Sequence, residues 1–81
     1  MERTFETALG KNIYEFRKLR GMSQFELARA SGITQGHISL LESGKYRDIY
    51  LSRGLALARA LGVTCEALMK DYDDEQSAAG L

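Results

Sequence analysis

Between Gly32 and Gly44 the chain reads Ile33-Thr34-Gln35-Gly36-His37-Ile38-Ser39-Leu40-Leu41-Glu42-Ser43, and its hydrogen-bonding residues are unevenly placed. Set at about 100° per residue, as in an α-helix, Gln35, Gly36, Ser39, Leu40 and Ser43 fan around one side, while Thr34, Ile38 and Leu41 share the other. An ordinary solvated helix face is laced with Glu and Lys, and this one carries no charge. Uncharged amide and hydroxyl groups suit hydrogen bonds to base edges, a leucine suits an apolar contact, and a glycine lets the backbone sit close to a partner. The opposite side, Thr34, Ile38 and Leu41, is expected to fasten the stretch to a core.

No competing chemistry assembles elsewhere. Cys65 is the only cysteine and His37 the only histidine, which excludes an intrachain disulfide and any zinc site built on several soft ligands. Cys65 reads as a small packing residue. The serines, the histidine and the acidic residues form no nucleophile with its base, so an enzyme is not expected, nor a cofactor. No apolar run reaches membrane-spanning length, and the opening MERTFE lacks an apolar signal core, so a cytoplasmic protein is expected.

Something must position that polar face, and the punctuation of the chain shows what. Gly21, Gly32, Gly44 and Gly62 each follow an apolar-periodic run, where a left-handed residue ends a helix. Ser23, Thr34 and Thr64 come one or two residues later, each able to cap the next helix, and Ser23 with Glu26 forms a capping box. Five helices follow. The first runs from about Phe5 to Arg20, with Phe5, Leu9, Ile13 and Phe16 on one stripe and Lys11, Glu15 and Lys18 opposite. Then come QFELARAS, QGHISLLES, SRGLALARAL and TCEALMKDY, with Ser52 as the expected cap of the fourth. Helices this short need each other's packing, so the expectation is one compact all-α domain. The second and third are joined only by Gly32-Ile33-Thr34, the steep turn of a helix-turn-helix, with Ala28 small where the two come closest.

The run LRGMSQFELARASGITQGHISLLESGK resembles the helix-turn-helix of the phage repressor and Cro class, the xenobiotic-response-element type of bacterial regulator. Matching residues are Arg17, Leu19, Gly21, Ser23, Gln24, Glu26, Leu27, Ala28, Gly32, Ile33, Ile38, Ser39, Glu42 and Gly44, with LARALGVTCEAL for the last two helices. The resemblance spans roughly residues 9 to 70 and implies a five-helix, lambda-repressor-like fold. It also implies double-stranded DNA as partner, with the third helix in the major groove of an operator. Gln35 and Gly36 would read bases first and Ser39 and Leu40 one turn on, Gln35 by bidentate bonds to an adenine and Leu40 against a thymine methyl. Ser23, Gln24, Ser43, Lys45, Tyr46 and Arg47 would hold phosphates. Arg17 and Glu42 would pair across the first and third helices as a partly buried ion pair that orients the reading helix. His37 is expected to be a packing or phosphate-side residue. Three features depart from the family pattern: Gly36 and Leu40 stand where many members carry longer polar side chains, and the connection KYRDIYLSRG is longer and lacks a proline. Within that connection, Ile49, Tyr50 and Leu51 either close the core or add to a dimer surface.

Members of the class work as two-fold dimers on half-sites about one DNA turn apart. The candidate surface is Val63, Leu68, Met69 and Tyr72, which serve equally well as plain core. Residues 1–70 are the expected domain, with eleven basic and seven acidic residues, and 71–81 an acidic, solvated and frayed tail with four acidic residues and no basic one. The overall neutrality of the chain therefore does not argue against a polyanionic partner. No ligand-sensing domain is expected in 81 residues, and the expectation is a minimal regulator similar in size to phage Cro and restriction-modification controller proteins. The alternatives are an antitoxin of the same fold, which binds a protein toxin as well as DNA, and a protein-interaction adaptor.

Overall fold

The computed structural model describes residues 4–78, and among these all regular structure is helical. The elements are α1 (Ala8–Leu19), α2 (Gln24–Ser31), α3 (Gln35–Glu42), α4 (Leu51–Leu61), α5 (Cys65–Leu68) and α6 (Tyr72–Ala78). Five are those anticipated, and α6 is additional.

Local chemistry sets most of the boundaries. The Ser23 hydroxyl accepts from the Glu26 amide while the Glu26 carboxylate accepts from the Ser23 amide, a complete capping box. Thr34 accepts from the amide of His37 and Thr64 from that of Ala67. Gly32 and Gly62 end α2 and α4 with φ of 77° and 71°, a region that glycine reaches without steric cost.

Three boundaries differ from expectation. The first helix begins at Ala8 because the Thr7 hydroxyl accepts from the Gly10 amide; Phe5 lies before it and packs on the Tyr14 ring, centroids 5.2 Å apart. The fourth begins at Leu51 behind Tyr50, with no side-chain cap, so Ser52 lies inside the helix. The fifth stops at Leu68, and Asp71 turns the chain with φ of 69°. Residues 72–78, expected to fray, form α6 instead. Asp73, Asp74 and Glu75 occupy its first turn, where the positive end of the helix dipole stabilises carboxylates. Residues 1–3 and 79–81, which include parts of the expected domain and tail, lie outside the described residues.

Leu9, Ile13, Leu27, Ile33, Ile38, Leu41, Leu57, Ala58, Leu61 and Leu68 form one buried core. α1 packs on α3 and α5, and α2 on α3 and α4, so α3 is held from two sides. The α1 contact is backbone to backbone. A Cβ on Gly10 would stand 2.5 Å from the Leu41 carbonyl oxygen and 3.1 Å from that of Glu42. Alanine raises helix propensity by about 1 kcal/mol, but neither carbonyl is a flexible side-chain end that moves cheaply. Gly10→Ala is therefore expected to lose roughly 1 to 3 kcal/mol of stability by urea unfolding. Gly36→Ala, where nothing lies within 4 Å of the new atom, should lose none.

Candidate nucleic-acid interface

α3 is fastened along one side only. Ile38 and Leu41 are fully buried, while Gln35, Gly36, Ser39, Leu40 and Ser43 are exposed. Thr34 is exposed as well and does not anchor the helix, because as the N-cap it has extended dihedrals to which the helical wheel does not apply. The third inward residue is Glu42, which is 2% exposed.

A buried carboxylate must be paired. Arg17 of α1 meets Glu42 in a two-point bond, Nε to Oε2 at 2.7 Å and Nη2 to Oε1 at 3.0 Å, while its Nη1 donates to the Met22 carbonyl at 2.9 Å. The Glu42 hydrogen bond holds the guanidinium above its already high ordinary pKa. Gln24, first residue of α2, adds a third donor, Nε2 to Glu42 Oε1 at 3.0 Å. Its side chain thus faces inward, rather than being a free phosphate ligand. One carboxylate gathers α1, the start of α2 and the end of α3. Arg17→Ala leaves it with Gln24 alone among the donors described above, and is expected to cost about 3 kcal/mol in thermal or urea unfolding.

Several residues assigned to phosphate are engaged within the chain. At Ser23 the backbone amide donates to Glu26 and the hydroxyl accepts from the Glu26 amide, which leaves its O–H as the group able to donate outward, while the Ser43 hydroxyl donates to the Leu40 carbonyl at 2.8 Å. Tyr46 stacks on His37 with centroids 5.7 Å apart, and His37 Nδ1 lies 3.3 Å from Arg53 Nη1. Arg47 faces Glu75 of α6 at 3.4 Å. Lys45 is exposed. An open groove lined by Arg17, Lys18, Ser23, Gln24 and Gln35 connects the start of α2 with the first outward residue of α3. Sequence reasoning passed over Lys18 and Arg53. Lys18 reads from the sequence only as part of a solvated face, and Arg53 only as one residue of the long connection.

The expected dimer residues divide. Leu68 is a core residue at 1% exposure, unavailable to a partner, and Val63 and Met69 pack against the same core. Tyr72 is half-buried with its hydroxyl 3.5 Å from Asp48 Oδ2; burial and that carboxylate push its phenol pKa up. The run Ile49-Tyr50-Leu51 divides too: Ile49 packs against the core, while Tyr50 and Leu51 are about four-fifths exposed.

Two short helices in contact across the Gly32-Ile33-Thr34 turn, the second bare on an uncharged face, define a helix-turn-helix, and the family comparison agrees. The chain belongs to the Cro/C1-type helix-turn-helix family, whose helix-turn-helix model matches residues 13–68. It is a DNA-binding transcription regulator. Similar crystal structures include the following three. The restriction-modification controller protein C.AhdI from Aeromonas hydrophila is 33% identical over 75% of this chain and 91% of its own, with a TM-score of 0.70. A hypothetical transcription factor, NHTF, from Neisseria is 32% identical over 88% of this chain and 80% of its own, with a TM-score of 0.73. ClgR, the clp gene regulator from C. glutamicum, is 28% identical over 99% and 97%, with a TM-score of 0.68. A comparison with curated proteins finds no match. Among the described residues no helix is long and apolar enough to cross a membrane.

Proposed function

We propose that this regulator binds a two-fold DNA operator as a homodimer, each protomer laying α3 in a major groove. One observation carries the reading: α3 is locked on its inner side by Ile38, Leu41 and the paired Glu42, and presents Gln35, Gly36, Ser39 and Leu40 uncharged and exposed. Gln35 reads an adenine edge, Leu40 contacts a thymine methyl, and Gly36 lets the helix approach closely. With only two side-chain amide or hydroxyl readers on this row, Gln35 and Ser39, DNA shape adds to the discrimination. Lys45 just past α3 and Lys18 beside the α2 groove contact the phosphates.

A second copy fits best against the apolar side chains left open at the start of α4, namely Tyr50, Leu51 and Leu55. This patch replaces Leu68 in the expected surface. A DNA operator as partner places the protein in the cytoplasm.

Selection of bound sequences from random duplexes, with the oligomeric state measured by light scattering on the selected site, tests this reading. A two-fold consensus bound by two protomers is expected. A single half-site bound by a monomer would sink the dimer, and stable capture of a neighbouring gene's product would favour the antitoxin. On the selected operator Gln35→Ala should lose roughly 1 to 3 kcal/mol, with little change on random DNA; equal loss on both would remove Gln35 from base reading. Lys45→Ala should instead weaken all sequences alike and reduce the slope of log affinity against log salt by about one.

A further inference from the structure

Glu75 and Arg47 join α6 to the loop after α3, and the two partners are unequally placed. The Glu75 side chain is 15% exposed and that of Arg47 57%. Glu75 Oε2 accepts from the Ala8 amide at the start of α1. Its other oxygen, Oε1, is buried and has no hydrogen-bond donor, and the charge that faces it is Arg47 Nη1 at 3.4 Å. Arg47 has water on most of its surface and can lose its partner at little cost. Glu75 cannot, because departure of the guanidinium leaves a buried carboxylate oxygen uncompensated.

A second contact ties the same two elements. The Tyr72 hydroxyl lies 3.5 Å from Asp48 Oδ2, one residue past Arg47. The close fit of Glu6 against Gly44, where an added Cβ would fall 2.7 Å from the Glu6 Cβ, fixes the loop from its other end. Arg47 is thus a cation at the end of the reading helix whose electrostatic partner is already inside the protein.

We propose that Glu75 sets the DNA affinity of this regulator by occupying, as the partner of Arg47, the place a DNA phosphate would otherwise take. The inference rests on reading the loop after α3 as a phosphate grip. Lys45 then supplies that grip from the loop, and Arg47 is a cation withheld by α6. A phosphate that recruits Arg47 must compete with a fixed carboxylate, so Glu75 lowers affinity for any duplex without altering which bases are read.

The test compares the full chain with Glu75→Gln, which keeps an acceptor for the Ala8 amide while removing the charge, on the selected operator and on a random duplex. Binding is expected to tighten about three- to tenfold on both, with the slope of log affinity against log salt steeper by about 0.9. Arg47→Ala alone should weaken binding less than twofold, unlike Lys45→Ala. In the Arg47→Ala background Glu75→Gln should give no gain. Asp74→Asn, an equal charge change on an exposed residue of the same helix, should give less than twofold. Unchanged or weaker binding by Glu75→Gln overturns the proposal, as does a gain that survives Arg47→Ala or is matched by Asp74→Asn. Absence of salt-dependent DNA binding by the unaltered chain overturns the phosphate-grip reading itself. Normal salt dependence with an inert Glu75→Gln overturns only the inference.

Discussion

Glu42 is a carboxylate with nowhere to go but the interior, and the orientation of α3 follows from satisfying it. A buried ion pair adds little net stability over a well-packed apolar pair, since desolvation offsets most of the attraction. What it adds here is direction. Ile38 and Leu41 alone hold the helix by non-directional burial, which fixes its rotation less sharply than hydrogen bonds do. Arg17 meets both carboxylate oxygens from α1, and Gln24 reaches one of them from the start of α2. Three fixed donors admit one rotation of the helix about its axis, and that rotation turns Gln35, Gly36, Ser39 and Leu40 outward.

The same end of α3 is fixed in depth as well as in rotation. Gly10 brings the α1 backbone against the carbonyls of Leu41 and Glu42, so the helices meet at the separation that a missing side chain allows. A larger residue would lift α3 away from α1 and carry the Glu42 carboxylate off the Arg17 guanidinium. Packing and pairing therefore reinforce one another at one contact. The outer surface of α3 is free of that duty, which leaves its composition open to recognition.

The legible parts of the fold were those written in local chemistry. Ser23, Thr34 and Thr64 cap, and Gly32 and Gly62 stop, because a hydroxyl or a missing Cβ acts within four residues. The outward row of α3 was legible for a related reason, since helical periodicity places it without reference to the rest of the chain. Features that depend on distant partners were not. Gln24 reads as a surface residue until Glu42 is seen beneath it, 18 positions away. Leu68 reads as core or interface with equal justice, and only the packing around it decides. The acidic run after Lys70 reads as a solvated end, because nothing local reveals that Ala8, 67 positions earlier, offers Glu75 an amide.

That last contact changes how the neutral charge of the chain is understood. Read by position, the balance separates a basic body from an acidic tail, and a frayed tail would leave the body's cations free. As a packed helix the tail lies against the body with Glu75 facing Arg47 and Tyr72 facing Asp48, so part of the neutralisation occurs beside the loop that follows α3. Phosphate attraction is indifferent to base sequence, whereas a hydrogen bond from an uncharged side chain to a base edge is not. Reducing the first while leaving the second untouched lowers affinity for every duplex by the same factor, so the ratio of specific to non-specific binding stays where the base contacts set it. An internal carboxylate paired with a cation beside α3 therefore lets the fold adjust attraction to a polyanion separately from the composition of the outward row of α3.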